Sequence, residues 1–201
     1  MTYPVLKFLH LLGLTLMGAG LIGVWYADLR SRQVRELPVF AEAVRSIAVL
    51  YDALVIPGAL LLLGSGTWLI VTVYGGWVFL GMPWLSGMVV LFGFEFIEGN
   101  TITRLYFMRL RRLTVEAVRH GQVTPELAKA RCHHVPTFTH FLDIPILFVI
   151  VALGAIRPNT WTLFAIGTLL ALVAAAILTF VVPRLYPFEP GQSSGLRRDV
   201  V

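Results

Sequence analysis

His10 is the residue of this chain whose position most strongly suggests chemistry. It is an imidazole within the apolar run from residue 4 to residue 25, where no water is available to satisfy a polar side chain. An ionisable side chain inside a membrane span is costly, by about 2.5 kcal/mol or more for charged types, so it usually faces a bundle interior, a cavity or a cofactor. Gly13 and Gly20 follow at helical spacings and predict a shallow groove beside the ring.

Two interpretations of His10 are open. In the first, the imidazole is hydrogen-bonded to a neighbouring helix, and Gly13 and Gly20 only let two helices pack closely. In the second, His10 is an axial ligand of a b-type haem, which needs an imidazole in an apolar slot and small residues that admit a flat macrocycle. Lys7 and Arg157 would then offer cations to the haem propionates, although a lysine so placed can also simply snorkel to the surface.

A second group of polar residues lies within later apolar runs: Asp52, Glu95, Glu98, His140 and Asp143, with Arg104 close behind. Glu95 and Glu98 are three residues apart and share a helix face, as His140 and Asp143 do. Such a cluster can form structural ion pairs at a membrane boundary, relay protons or hold a metal. The Glu-x-x-His pairs typical of di-iron bundles are absent from it, which disfavours the metal.

Cys132-His133-His134 combines thiol and imidazole, both of which bind transition metals. Three adjacent residues of a helix cannot all face one ion, and no second Cys-x-x-Cys element is present to complete a tetrahedral site. We therefore expect a solvated or interfacial loop, with a metal site as the alternative. As the chain has one cysteine, no internal disulfide can form.

The elements that position these residues must be membrane helices, because 57% of the residues are hydrophobic and 13% are charged, and the mean hydropathy is +0.80. The net charge of +5 comes from arginines that flank apolar runs, which argues against nucleic acid as a partner. Five runs have the length, about 20 residues, that crosses a bilayer. The sequence thus predicts an all-α bundle with spans near 4–26, 50–74, 78–100, 138–157 and 160–182.

The helices are expected to be longer than these runs in two places. Apolar residues recur with a helical rhythm from Pro38 onward, and the third run continues past Arg104 into a basic stretch. Pro57 and Pro145 lie inside spans, where each removes a backbone hydrogen bond and favours a kink. Residues 1–186 form one predicted domain, and the polar tail 187–201 is expected to be disordered.

Loop charges orient the predicted bundle. Positive residues collect in alternate connections and after the last span: Arg30, Arg32, Arg35 and Arg45, then Arg109, Arg111, Arg112, Arg119, Lys129 and Arg131, then Arg184, Arg197 and Arg198. The positive-inside rule then places the N-terminus outside and the C-terminus inside the membrane.

Depth follows from this orientation, because a helix advances about 1.5 Å per residue. His10 falls in the outer half and His140 in the inner half, about 15–20 Å apart in depth, which is too far for one iron. Met88, in the outer half of the third span, is the easier second ligand, and a five-coordinate iron is the alternative. His140 is kept as a candidate ligand for a second haem on the inner side.

Several segments together suggest a family: Leu6 to Gly13, Gly18-Ala19-Gly20, Tyr51-Asp52, Ile56-Pro57-Gly58 and Gly64-Ser65-Gly66. The chain resembles the bacterial integral membrane proteins called domain of unknown function 2269. That family is similar to the copper-resistance D membrane proteins and to the HemJ-type protoporphyrinogen oxidases, which open with a similar Leu-His in the first span. The resemblance implies a small helical bundle that binds haem b, with His10 at the position of the first-span histidine, but it implies no particular reaction.

Three functions are therefore to be distinguished. The first is a haem-associated redox or haem-handling protein, which would be a haem-dependent oxidoreductase if it catalyses a reaction. The second is an accessory subunit that packs against partner helices, either in a homo-oligomer or beside a membrane redox partner. The third is a proton-coupled transporter that uses Asp52, Glu95, Glu98 and His140. In each case we expect the surrounding medium to be the lipid bilayer of a bacterial inner (cytoplasmic) membrane.

Overall fold

Five helical segments in the computed structural model are long and apolar enough to cross a membrane. The structure describes residues 2–186, so the predicted tail at 187–201 lies outside the described part of the chain. Residues 2–186 contain no β-strand. The predicted all-α class with five spans is confirmed. The observed spans are Tyr3–Gln33, Leu37–Val73, Pro83–His120, His134–Ile156 and Thr162–Leu185.

Within these spans and their connections, eight α-helices are described: α1 (Thr2–Gln33), α2 (Leu37–Leu50), α3 (Ile56–Val73), α4 (Pro83–Glu98), α5 (Arg104–His120), α6 (Pro125–Arg131), α7 (His134–Ile156) and α8 (Thr162–Leu185). A π-helical turn, Tyr51–Val55, joins α2 to α3, and a second, Gly99–Thr103, joins α4 to α5. The start near Pro38 and the continuation past Arg104 are both confirmed. The run predicted from residue 78 differs, because Gly76–Gly81 forms a 3₁₀ turn and α4 begins only at Pro83.

The first π turn has a direct cause in the sequence. Pro57 has no backbone N–H, so the carbonyl one α-turn before it loses its usual donor. The chain widens at this point, and the Ile56 N–H donates to the Tyr51 carbonyl five residues back. In the second π turn the side chains of Asn100 and Thr101 donate to backbone carbonyls four residues earlier. Such turns often occur at functional sites.

Glycines set the close approach of α1 and α3. A Cβ atom at Gly58 would collide with the backbone of α1, and one at Gly13 would lie 2.9 Å from the Leu62 nitrogen. A Cβ atom at Gly20 would lie 2.7 Å from a methyl group of Val55. Small residues of this kind let membrane helices pack backbone to backbone. Gly13 and Gly20 therefore occupy a helix-helix interface, as in the first interpretation of the sequence.

The helix ends at Tyr3, Tyr74, Trp84 and Arg157 meet around one cavity. We call this the outer end of the bundle, after the orientation predicted from the loop charges, and the opposite end the inner end. At the inner end, α5 packs against α2 and α6. The amphipathic α5 buries Phe107 and Leu110 and leaves its arginines at 109, 111 and 112 exposed.

Candidate functional site

A cavity of about 430 Å³ opens at the outer end between α1, α3, α4 and α7, and we call it the outer cavity. Its volume falls within the range of about 300–1,000 Å³ that is typical of small-molecule and cofactor sites. Most of its walls are leucine, isoleucine, valine and aromatic side chains. The residues with other chemistry on its walls include Lys7, His10, Gly66, Met88, Gly154 and Arg157.

His10 is held in one orientation by a short hydrogen-bond chain. Its Nδ1 lies 3.1 Å from the Ser65 hydroxyl, and that hydroxyl lies 2.5 Å from the Leu61 carbonyl oxygen. A serine hydroxyl has one proton, and here it is donated to the carbonyl. Ser65 must therefore accept from the Nδ1–H of His10, which leaves the lone pair on Nε2.

This tautomer is the one that a metal-binding imidazole needs. A histidine that ligates a metal through one nitrogen commonly donates its other N–H to a neighbouring oxygen, which fixes the ring. Within residues 2–186, Nε2 of His10 has no hydrogen-bond partner. The ring is half-buried and lines the outer cavity, so His10 presents a free imidazole lone pair at an apolar site.

Two glycines that sequence reasoning did not assign keep this cavity open. A Cβ atom at Gly66 would lie 3.2 Å from Cε1 of His10, and one at Gly154 would lie 3.1 Å from Cε of Met88. Gly66 belongs to the Gly-Ser-Gly segment of α3, whose middle residue is the hydrogen-bond partner of His10. The signal available in the sequence was the position of this segment, which follows Pro57 on the same helix. That helix packs against the first span.

Both cations suggested by the sequence lie at the cavity. Lys7 and Arg157 are exposed and line its walls. Arg157 ends α7 with φ of +50°, in the left-handed region where a helix usually ends with glycine. Its guanidinium carbon lies 5.3 Å above the ring of Trp84, and its Nε donates to the Gly154 carbonyl at 3.3 Å.

Met88, half-buried on α4, also lines the outer cavity, so the structure brings it together with His10 on the walls of one site. His140 lines neither this cavity nor the smaller one described below. Among residues 2–186, no group of three histidine, cysteine or acidic side chains is arranged to hold a metal ion.

The inner end contains an ion network that sequence reasoning missed. Asp28 on α1 accepts from Arg32 Nε at 2.9 Å and from Arg131 Nη1 at 2.7 Å, and all three side chains are buried. The Ser31 hydroxyl also contacts Arg131. Burial alone would lower the pKa of Arg131, but the Asp28 carboxylate raises it and the net pKa lies above its ordinary value, so the guanidinium is charged.

Arg131 lies in the connection between the third and fourth spans, as expected from the sequence, although it is buried there. Arg32 was also interpreted as a loop charge, and this interpretation is wrong. The first span was expected to end at residue 26, but α1 continues to Gln33 and carries both Asp28 and Arg32 into the bundle. The spacing of four residues between Asp28 and Arg32, one turn after Trp25, was the available signal.

His140 lies beside this network without a hydrogen bond from its ring. Nε2 is 3.9 Å from Asp28 and Nδ1 is 3.7 Å from Asp143, and both nitrogens are buried. Trp25 and Phe107 pack edge-on against the imidazole, and the Trp25 indole donates to the His140 backbone carbonyl at 3.0 Å. His140 therefore occupies a packed position between two carboxylates.

The remaining acids of the predicted cluster separate into distinct environments. Asp52 is exposed and pairs with Arg104 at 3.3 Å, an arrangement typically worth about 0–1 kcal/mol. Glu98 is buried and accepts a hydrogen bond from Thr103 at 2.6 Å. Glu95 and Asp143 line a second space of about 80 Å³, which we call the inner cavity.

Cys132, His133 and His134 are all exposed in the connection that leads into α7. His133 precedes the first turn of α7, and its carbonyl accepts a hydrogen bond from the Thr137 hydroxyl. The placement is that of the exposed loop expected from the sequence.

One comparison with known proteins gives a match, and it covers most of the helices described above. A family model described as "Predicted integral membrane protein (DUF2269)" matches residues 4–158, a segment that includes α2 through α7 and nearly all of α1. Neither the comparison with characterised proteins nor that with solved structures gives a significant match.

Proposed function

We propose that this protein, which belongs to the DUF2269 family of integral membrane proteins, binds haem b in a redox or haem-handling role. The function of the family is unknown. The proposal is based on the outer cavity, where a free imidazole lone pair and two cations meet at apolar walls. The observation that carries the proposal is the hydrogen-bond chain from His10 through Ser65 to the Leu61 carbonyl. A histidine that only satisfies its own polarity needs no such fixed tautomer, whereas an axial ligand does.

The donor set of the outer cavity fits haem in three respects. His10 would supply an imidazole and Met88 a thioether to the haem iron. Lys7 and Arg157, both exposed at the cavity, would supply two cations for the two propionates. The apolar walls supply the surface on which a flat macrocycle is buried.

When bound, haem would supply one-electron chemistry, and the protein would supply binding, orientation and electrostatics. His10 would fix the iron at one position, and the surrounding leucines, isoleucines and phenylalanine would exclude water from it. With the predicted orientation, the cavity would open toward the outer face of a bacterial inner membrane, so an electron partner would approach from that side or within the membrane.

The test is an absorption spectrum of the full-length protein, purified in detergent after expression with sufficient haem. We expect a Soret band in the wild type and its loss in His10→Ala. His133→Ala is the matched control, because His133 is exposed and distant in the chain, and it should keep the band. His140→Ala should keep it as well. A wild type without any Soret band would refute haem binding and favour the accessory-subunit alternative.

Met88 is tested separately from His10. In Met88→Leu the side chain keeps its approximate volume but loses the sulfur ligand, and a histidine–methionine pair holds a haem at a higher potential than a histidine alone. We expect Met88→Leu to bind haem but to change its spin state and lower its midpoint potential. An unchanged spectrum and potential would show that Met88 is only a wall of the cavity.

A further inference from the structure

The inner cavity lies directly below the outer one. On α4 the outer cavity ends at Phe92 and the inner cavity begins at Glu95, and on α7 the corresponding residues are Leu147 and Asp143. On α1 the step is again three residues, from Leu14 to Met17, and on α3 it is two, from Leu62 to Leu60. Two to four residues of helix correspond to about 3–6 Å along the axis, so roughly one helical turn separates the two spaces.

Two buried carboxyl groups face this inner cavity. Glu95 is 5% exposed and Asp143 is 1% exposed, and each has a buried carboxyl oxygen, Oε1 and Oδ2 respectively, with no hydrogen-bond partner among residues 2–186. An ionised carboxylate in such a place requires a paired charge or several hydrogen bonds. Two like charges that share a site cannot both ionise cheaply, so one of them takes up a proton.

The charged neighbours do not neutralise the pair. Arg104 is paired with Asp52, and the guanidinium groups of Arg32 and Arg131 are bonded to Asp28.

The other titratable groups that face the pair do not supply a cation to it alone. Glu98, on the same helix as Glu95, is a further carboxyl, and Tyr51 faces the carboxyls from the first π turn. His140 approaches Asp143 at 3.7 Å and lies almost as close to Asp28, at 3.9 Å. The pair therefore has too little positive charge around it for both acids to be ionised.

The cavity also has room and partners for water. A space of about 80 Å³ exceeds the roughly 10–15 Å³ of probe-occupied volume that one water molecule needs. Tyr51 and Asn100 line it together with the two acids, which gives the two to four polar partners that hold a buried water. Tyr51 and Asn100 belong to the two π turns, so the local widening of both spans borders this space.

We propose that Glu95 and Asp143 form a proton-binding site in which the two carboxyls and bound water share a single proton, one helical turn below the outer cavity. The site does not depend on haem, and its ligand is the proton with its water. It goes beyond the proposed function, and either proposal can fail while the other stands.

The test is an infrared pH titration of the full-length protein in detergent, following the carbonyl band of protonated carboxylic acids and its shift on deuterium exchange. At neutral pH, exposed acids are ionised and do not contribute to this band. We expect the wild type to show it and the pair to titrate in two steps, separated by more than about one pH unit. Glu95→Gln and Asp143→Asn should each leave one step, and the double variant should lack the band.

Glu42→Gln is the matched control, because Glu42 is an exposed acid on α2 whose ion-pair partner, Arg45, is also exposed, and it should keep both steps. Gln and Asn preserve the shape of the side chains, and thermal unfolding of each variant checks that it is folded. If the double variant does not fold, the loss of one step in each single variant remains the test. A wild type without the band, or a band unchanged in the folded variants, would refute the proposal. Loss of the band on addition of sodium chloride would also refute it, by showing a cation site.

Discussion

Ser65→Ala is the most direct test of how His10 is prepared for a ligand. Ser65 accepts the Nδ1–H of His10 and donates to the Leu61 carbonyl. The substitution removes the acceptor and leaves the imidazole in place. Leu61 loses little, because its carbonyl also belongs to the backbone ladder of α3, where carbonyls accept from the N–H four residues on. The change therefore acts on the orientation and tautomer of His10 with little effect on the helix.

The expected loss of haem affinity follows from the role of the Ser65 hydroxyl. Loss of an outer partner of a metal-binding histidine typically weakens metal affinity by about 10–100-fold. At about 1.4 kcal/mol per factor of ten, this corresponds to roughly 1.4–2.8 kcal/mol of binding free energy. Part of the loss has a simple origin, since His10 without Ser65 can place its proton on Nε2 and is then unable to ligate through that nitrogen.

The assay is a haem titration of the purified apo-protein, followed by the Soret absorbance. Ser86→Ala is the matched control, because Ser86 is also buried and donates its hydroxyl to a backbone carbonyl, that of Phe79, without contacting His10. We expect the Ser65 variant to bind haem about 10–100-fold more weakly than wild type and the control to match wild type. Equal affinity for all three proteins would refute the argument that the Ser65 hydrogen bond prepares the ligand.

Three further changes test the framework around the site. Arg131→Met should lower the free energy of unfolding in detergent by about 3–5 kcal/mol, because it leaves the buried Asp28 with one cation, whereas exposed Arg112→Met should have little effect; equal unfolding curves would contradict this. Gly58→Ala should cost about 1–3 kcal/mol by overpacking the α1 backbone, while Gly64→Ala, whose Cβ atom would meet no atom within 4 Å, should not destabilise the protein. Arg157→Gly should raise the unfolding temperature, because it relieves the strain of φ at +50°, and should weaken haem binding by removing a cation; a destabilised variant with full affinity would exclude this trade-off.

The level of each residue in the bundle could be predicted from the sequence. Hydropathy sets the span boundaries, and the helical rise then gives depth. By this reasoning Met88 was placed near the level of His10, and Arg157 and Lys7 were considered as outer cations. The structure places all four on the walls of one cavity. Agreement at this level follows from physics, because every helix in a membrane advances by nearly the same distance per residue.

The direction in which a residue faces could not be predicted in the same way. Gly13 lies three residues from His10, about 60° round the helix, and this rotation is enough to turn it from the cavity to the α3 backbone. Ser65 was visible only as part of a glycine-containing segment, since its role depends on the rotation of α3 relative to α1. Rotation is determined by the neighbouring helices, which hydropathy does not specify.

The ion network at Asp28 was missed for a different reason. Asp28 and the nearby arginines lower the mean hydropathy of the sequence, which then predicts the end of a span. Such a mean treats each charge as unpaired. One of the two charges that satisfy Asp28 comes from Arg131, 103 residues later in the chain. A buried charge at a span end can be recognised only when its partner is known, and this partner comes from a separate short helix.

The two cavities lie almost entirely within the part of the chain that the family model matches. Every residue that lines the outer or the inner cavity lies at or before Arg157, and all of them except Tyr3 fall within residues 4–158, which the family model matches. α8 begins at Thr162 and packs against α7, where Gly167 faces Val149. The matched region thus contains α1, α3, α4 and α7, the four helices that enclose both spaces. If the family shares a function, we expect it to lie in this four-helix core, around the outer and the inner cavity.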